Sequence, residues 1–165
     1  QMLAWQRGLT GLVSEQTQYN LLNRMPELEV LPAGQEFGIG ILAYMPLAGG
    51  ILTGKLQSAE GSRTRSVENE YGIHLGEHNK QLMDFSALCR EIGEKEHVVA
   101  IAWTLAQPGV TSAIVGIRTV EQLEGMDRAS ELQLSPEVLA RLTAIFDINR
   151  GRPLRNAPAP EAYSW

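Results

Sequence analysis

A chain of 165 residues with 44% hydrophobic and 20% charged residues suits one ordinary domain with a sizeable core, and excludes a disordered segment. A net charge of −5 gives non-specific nucleic-acid binding no electrostatic support, and Arg63 with Arg65 makes only a small basic spot. No apolar run approaches the roughly 20 residues that cross a bilayer, and the single cysteine, Cys89, excludes an internal disulfide framework and fits a reducing cytoplasm.

The N-terminal Gln1-Met2-Leu3-Ala4-Trp5 lacks a basic leader, and Met2 reads either as a natural start or as an internal residue of a longer protein. Residues 1–7 read as the last turns of a helix stopped by Gly8. Leu12-Val13, within Gly11 to Gln16, is the first strand candidate, with Thr17 to Asn23 as its exit loop. Pro26 suits the first turn of a helix running to about Phe37, ended by Gly38 and Gly40. Ile39, Ile41, Leu42 and Ala43 predict a strand too continuously apolar for a half-wet edge and suited to a buried parallel position. Residues 48–76 form a long glycine-rich, polar connection, a length that points to function or mobility.

Leu82, Phe85, Leu88 and Ile92 recur at helical steps and predict an amphipathic helix over Glu77 to Ile92, closed by Gly93. Val98 to Ala106 reads as a second, largely buried helix, stopped at Gln107-Pro108-Gly109. Ala113-Ile114-Val115 is the third strand candidate. Thr119 and Gln122 have the spacing of a capping box for the next helix, and Ser135-Pro136-Glu137 starts another. The tail from Gly151 to Trp165 is proline-rich and expected to lie extended, so residues 1–150 and 151–165 separate into a folded part and a tail. Strand, helix, strand, long loop, two helices, strand and two helices argue α/β with parallel strands. Three strands leave unpaired edges and an uncovered face, so this order is expected to be part of a larger sheet or barrel.

The most informative stretch is Tyr44-Met45-Pro46-Leu47-Ala48-Gly49-Gly50-Ile51-Leu52-Thr53-Gly54-Lys55. An aromatic ring, permissive backbone and a positive charge meet there, the groups that a nicotinamide ring and a pyrophosphate require. Tyr44 reads equally as a packing tyrosine, and Lys55 as a solvated loop lysine. Walker A spacing is absent. A second place, Gly116-Ile117-Arg118-Thr119-Val120-Glu121-Gln122, joins a strand end to a helix start, where an anion is comfortable; Thr119 is also a plain cap. Gln16 either faces the same rim as Tyr44 or ties down the loop at Tyr19-Asn20. His74, His78 and His97 have no accompanying cysteine and form no HExxH motif, and no GxSxG, CxxC or GxGxxG fingerprint occurs.

Three blocks in order resemble the C-terminal half of an aldo-keto reductase: Gln16-Thr17-Gln18-Tyr19-Asn20-Leu21-Leu22-Asn23-Arg24, Pro46 to Lys55, and Gly116 to Glu124. The resemblance runs from about Leu9 to Trp165, and the ending Pro158 to Trp165 is similar to actinobacterial-type members. It implies strands six to eight of a (β/α)8 TIM barrel, here about three parallel strands with covering helices. The implied cofactor is NADPH (NADP+), bound across the strand ends, with a small carbonyl compound as substrate of the complete enzyme. By position, Gln16 would hold the nicotinamide carboxamide and Tyr44 would stack on its ring. Leu47, Gly49 and Lys55 would line the pyrophosphate, with Arg63 or Arg65 from the following loop closing over the cofactor. Gly116, Arg118 and Gln122 would cradle the adenosine 2′-phosphate end.

Met45 departs from a frequent Ser, and Gly125 and Met126 replace the usual Glu and Asn near the adenine, which implies looser adenine recognition. The family's catalytic Asp, Tyr, Lys and His come from the first half of the barrel, so no catalytic residue is assigned to this chain, which alone is expected to be inactive. The missing half is expected in cis or in trans. The alternative is a noncatalytic half-barrel module that self-assembles, and homodimerisation or aggregation is expected if nothing covers the open sheet.

Overall fold

The structure, a computed structural model, describes residues 1–54, 75–117 and 119–147. Its centre is the apolar run expected to be a buried strand. This strand, β2 (Gly40–Tyr44), lies between β1 (Ser14–Gln18) and β3 (Val110–Ile114), and both pairings are parallel. Parallel neighbours need crossovers, and helices supply them. α1 (Met2–Gln6) precedes β1, and α2 (Val30–Phe37) links β1 to β2. A 3₁₀ segment at Ala48–Thr53, α3 (Leu75–Ile92) and α4 (Glu96–Leu105) lie between β2 and β3, and α5 (Val120–Glu131) and α6 (Pro136–Ile145) follow. The chain is therefore α/β, consistent with part of a (β/α)8 barrel. The tail at 151–165 lies outside the described residues.

Local chemistry sets the element ends. Gly93 stops α3 with φ 74°, while the Gly93 amide donates to Arg90 and the Glu94 amide to Cys89, a left-handed cap that satisfies two end carbonyls. The Thr119 hydroxyl accepts from the Gln122 amide at 3.4 Å and the Ser135 hydroxyl from Val138 at 3.3 Å, so both expected caps form.

Three elements depart most from the sequence reading, the other boundaries shifting by one or two residues. β1 begins at Ser14 and runs through Gln18, while Leu12 and Val13 lie before it and are 59% and 65% exposed. At a sheet edge the register with β2 decides the strand, so the polar Ser14–Gln18 pairs although apolar Leu12-Val13 has the better propensity. β3 likewise starts earlier, at Val110, because a bulge opposite Ile41/Leu42 admits Thr111 as an extra residue. Its hydroxyl accepts the Ile41 amide at 3.1 Å. The helix expected from Pro26 to Phe37 is split into a 3₁₀ turn, Met25–Glu27, and α2.

Alternation along β2 separates two sheet faces. Ile41 and Ala43 are buried against Leu31, Phe85, Leu88, Val99, Trp103, Leu142 and Phe146, which form the main core. Cys89 is buried in that core as a free thiol, and burial, helped by the negative charge of Glu96, pushes its pKa up to about 12. An aromatic disulfide reagent is therefore expected to leave the native thiol untouched at neutral pH and to react fully in denaturant; equal rates in both conditions would contradict the burial. The linkage has one sign. The unfolded thiol ionises near 9.0 and the folded one near 12, so stability is expected to fall as pH rises across that window.

Candidate functional site

The other face of the sheet carries the candidate site. In register, Gln18, Tyr44 and Ile114 form one row at the C-terminal ends of the strands, and Gln16, Leu42 and Ser112 form the row beneath. Gln16, Ser112 and Ile114 are exposed, and Gln18, Leu42 and Tyr44 are half-buried, whereas Ile41 and Ala43 on the opposite face are buried. Among the described residues, helices cover only one side. Gln16 was expected to end its strand. It sits in mid-strand, one row below Tyr44 on the same face, and Gln18 is the direct neighbour of Tyr44.

Directly after Tyr44 the backbone enters an unusual run. Met45 (φ 56°), Ala48 (49°), Gly49 (67°), Gly50 (103°) and Gly54 (74°) are all left-handed, and two of these are not glycine. Non-glycine residues visit that region rarely and at a cost, so surrounding contacts have to hold them there. The Met45 carbonyl accepts from Asn20 Nδ2 and from the Ala48 amide, each at 2.9 Å. The Leu47 carbonyl accepts from the amides of Gly50 at 2.9 Å and Leu52 at 3.2 Å, closing the turn. The Leu47 side chain packs into both the main core and a smaller cluster of Val98, Ile101 and Ala129.

A Cβ on Gly50 would meet nothing within 4 Å, so an extended ligand can approach the main chain there. Thr53 spends its hydroxyl proton on the Gly50 carbonyl at 2.7 Å, which leaves the oxygen only as an acceptor. Gly54 faces the carboxylate of Glu96, whose Oε1 would lie 2.7 Å from an added Cβ. Lys55, Arg63 and Arg65 lie outside the described residues.

The second place follows β3. Gly116 is exposed, with no atom within 4 Å of a built Cβ, and the N-terminus of α5 starts at Val120 behind its Thr119 cap. Gln122 is exposed in the first turn of that helix. Arg118 lies outside the described residues. Gly125 faces His97: an added Cβ would stand 2.7 Å from His97 Nε2, so the imidazole occupies the space that a side chain at 125 would take. Met126 packs against the Val98–Ile101–Ala129 cluster. Within the block Gln16 to Arg24, Tyr19 is a core residue. Tyr19 is fully buried, its hydroxyl donates to Glu27 Oε1 at 2.6 Å, and burial followed by Glu27 drives its pKa up. It offers no proton to a ligand at the rim.

Sequence reasoning passed over Asn20, Gln18, Glu96 and the left-handed state of Met45. Asn20 stood in a quoted motif, and its importance needed the contact to a loop distant in sequence. Nothing in the local pattern marks Met45 as left-handed.

The model of the Aldo/keto reductase family matches residues 1–147. The uncharacterized oxidoreductase YrpG of Bacillus subtilis is 46% identical over 163 residues, covering 98% of this chain and 47% of its own length. A putative voltage-gated potassium channel subunit beta of Schizosaccharomyces pombe is 32% identical, covering 88% of this chain and 45% of its own. An L-glyceraldehyde 3-phosphate reductase of Escherichia coli is 30% identical, covering 79% and 40%. The chain thus spans about half the length of the curated relatives it matches.

Proposed function

The chain belongs to the aldo/keto reductase family, and from that premise we propose that it is the cofactor-binding C-terminal part of an NADPH-dependent reductase of small aldehydes or ketones. One observation carries the reading. The Tyr44 row ends on a sheet face that no described helix covers and runs straight into the left-handed 48–50 backbone, so a flat ring and an extended anion meet adjacent surfaces. The residues present fit such a group: Gly50 and Gly116 leave room for close approach, and the start of α5 offers backbone donors and a partial positive charge.

In this reading Tyr44 presents its ring to the nicotinamide and Gln16, on the same face, its amide to the carboxamide. Leu47, Gly49 and Lys55 line the pyrophosphate, Arg63 closes over the cofactor, and Gly116, Arg118 and Gln122 hold the 2′-phosphate end. Bound NADPH supplies the hydride for a carbonyl carbon. The proton comes from the first half of the barrel, because Tyr19 keeps its hydroxyl on Glu27 in the core. That half is supplied in cis or in trans.

A partner is supported by the apolar Leu9, Leu12 and Val13, 59–65% exposed near β1, whose outer edge pairs with no other strand among the described residues. A self-assembling module without catalysis is the second reading, favoured by the same exposed edge. No described helix is long and apolar enough to cross a membrane, and the buried free thiol of Cys89 supports a reducing, cytoplasmic setting. The chain alone is expected to bind NADPH without oxidising it in the presence of a small aldehyde. Adding the first half of the barrel as a separate polypeptide is expected to start aldehyde-dependent loss of NADPH absorbance. NADPH turnover by the chain alone contradicts the division of labour, and a mixture that neither binds nor turns over NADPH contradicts the function.

A further inference from the structure

Asn20 joins the two loops that leave β1 and β2. Its side chain is fully buried. Nδ2 donates to the Met45 carbonyl at 2.9 Å, and Oδ1 accepts from the amides of Leu22 at 3.0 Å and Asn23 at 2.9 Å. The backbone runs parallel to this clasp, with the Tyr19 amide donating to the Tyr44 carbonyl at 3.2 Å. Met45 follows Tyr44 directly and holds φ 56°, a conformation its own side chain disfavours, so the turn has to be imposed from outside. The carboxamide accepts the two loop amides on its oxygen and donates to the carbonyl from its nitrogen; a carboxylate would accept the first two and repel the third.

We propose that Asn20 is a positioning residue whose clasp on the Met45 carbonyl sets the left-handed turn that aims the Tyr44 ring and shapes the 45–54 loop for the dinucleotide. The proposal rests on the cofactor reading above. Asn20 itself touches neither ring nor phosphate. It acts through Met45, whose carbonyl also receives the Ala48 amide at the mouth of the glycine run. Loss of the donor releases the Met45 carbonyl from the loop after β1 and leaves the Ala48 amide as its partner within the turn, while the two loop amides keep their acceptor.

The test uses the 165-residue chain with Asn20→Asp, Met45→Val and the double variant. Three readouts are taken: NADPH affinity by cofactor fluorescence, hydrogen exchange at the Ala48 amide, and the urea midpoint. Each single change is expected to weaken NADPH binding about tenfold and to speed exchange at Ala48, with α4 amides unaffected. The double variant is expected to lose about tenfold as well, because both changes abolish one turn; two independent effects would multiply to about a hundredfold and overturn the proposal. A folded Asn20→Asp chain with unchanged affinity and unchanged Ala48 exchange also overturns it. If Asn20→Asp does not fold, Met45→Val decides: weaker NADPH binding at an unchanged urea midpoint supports the turn's role, and unchanged affinity refutes it. A parent chain that binds no NADPH defeats the cofactor reading, and the proposal's cofactor role with it; the Ala48 exchange then decides separately whether the clasp holds the turn.

Discussion

Arg24→Ala is expected to cost about 3–5 kcal/mol of folding stability, enough to leave much of the chain unfolded at physiological temperature. Arg24 is 9% exposed and spends its guanidinium on three groups. Nε and NH2 hold Glu27 in a fork at 2.7 and 2.8 Å, and NH1 donates to the carbonyls of Thr143 at 3.4 Å and Phe146 at 3.2 Å. The fork is local to the loop after β1, NH1 ties that loop to the C-terminal end of α6, and the guanidinium carbon lies 5.5 Å from the centre of the Trp103 ring. Truncation removes more than a contact. It strands the Glu27 carboxylate beside the Tyr19 hydroxyl, and it leaves carbonyls at the end of α6 without their donor. Burial opposes the charge of Arg24, but its hydrogen bond and charge interaction with Glu27 outweigh that, and its pKa is raised. Arg24→Lys is expected to recover only part of the loss, because an ammonium cannot reproduce the fork. Urea unfolding checks this. An Arg24→Ala midpoint equal to that of the parent would show the network to be energetically idle.

Tyr44→Ala is expected to weaken NADPH binding between about tenfold and a hundredfold, with little change in folding stability. Tyr44 is half-buried on the face that no described helix covers, flanked in register by Gln18 and Ile114, so truncating its ring opens no cavity in the helix-covered core. Tyr44→Phe is expected to bind like the parent, since the role assigned to this residue belongs to the ring face. Tyr44→Trp is expected to retain binding for the same reason. If Tyr44→Phe weakens binding as much as Tyr44→Ala, the hydroxyl carries the contact and the stacking role is wrong. If stability collapses in Tyr44→Ala, the packing reading of Tyr44 is the better one.

What the sequence made legible was whatever local chemistry decides. The run Ile39–Ala43 is apolar enough to sit at the sheet centre, Thr119 and Ser135 cap the helices they precede, and Gly93 stops α3. The order of elements gave the parallel α/β class. What was not legible depends on partners distant in sequence. Ser14–Gln18 becomes a strand through its pairing with β2, although Leu12-Val13 carries the stronger propensity. Gln16 consequently sits one row lower than expected, and Gln18 takes the place beside Tyr44.

The candidate site divides in the same way. Tyr44 and the glycines after it stood out because aromatic and glycine residues announce themselves. Asn20 did not, because its value lies in a hydrogen bond to Met45 that exists only once two strand exits are side by side. His97 offered no metal motif, and its packing against Gly125 depends on the contact between α4 and α5. That contact bears on the expected loosening at the adenine end: the side chain missing at 125 is replaced in space by an imidazole from the neighbouring helix.

The central claim is that NADPH lies along the rim from Gln16 and Tyr44 to the start of α5. The measurement that tests it most directly is an amide NMR titration of the 165-residue chain with NADPH. The account predicts saturable shifts concentrated at Gln16, Gln18, Tyr44 to Gly50, Gly116 and Gln122, with the α3 and α6 amides unmoved. No saturable shift, or shifts centred away from the C-terminal ends of the strands, would contradict it.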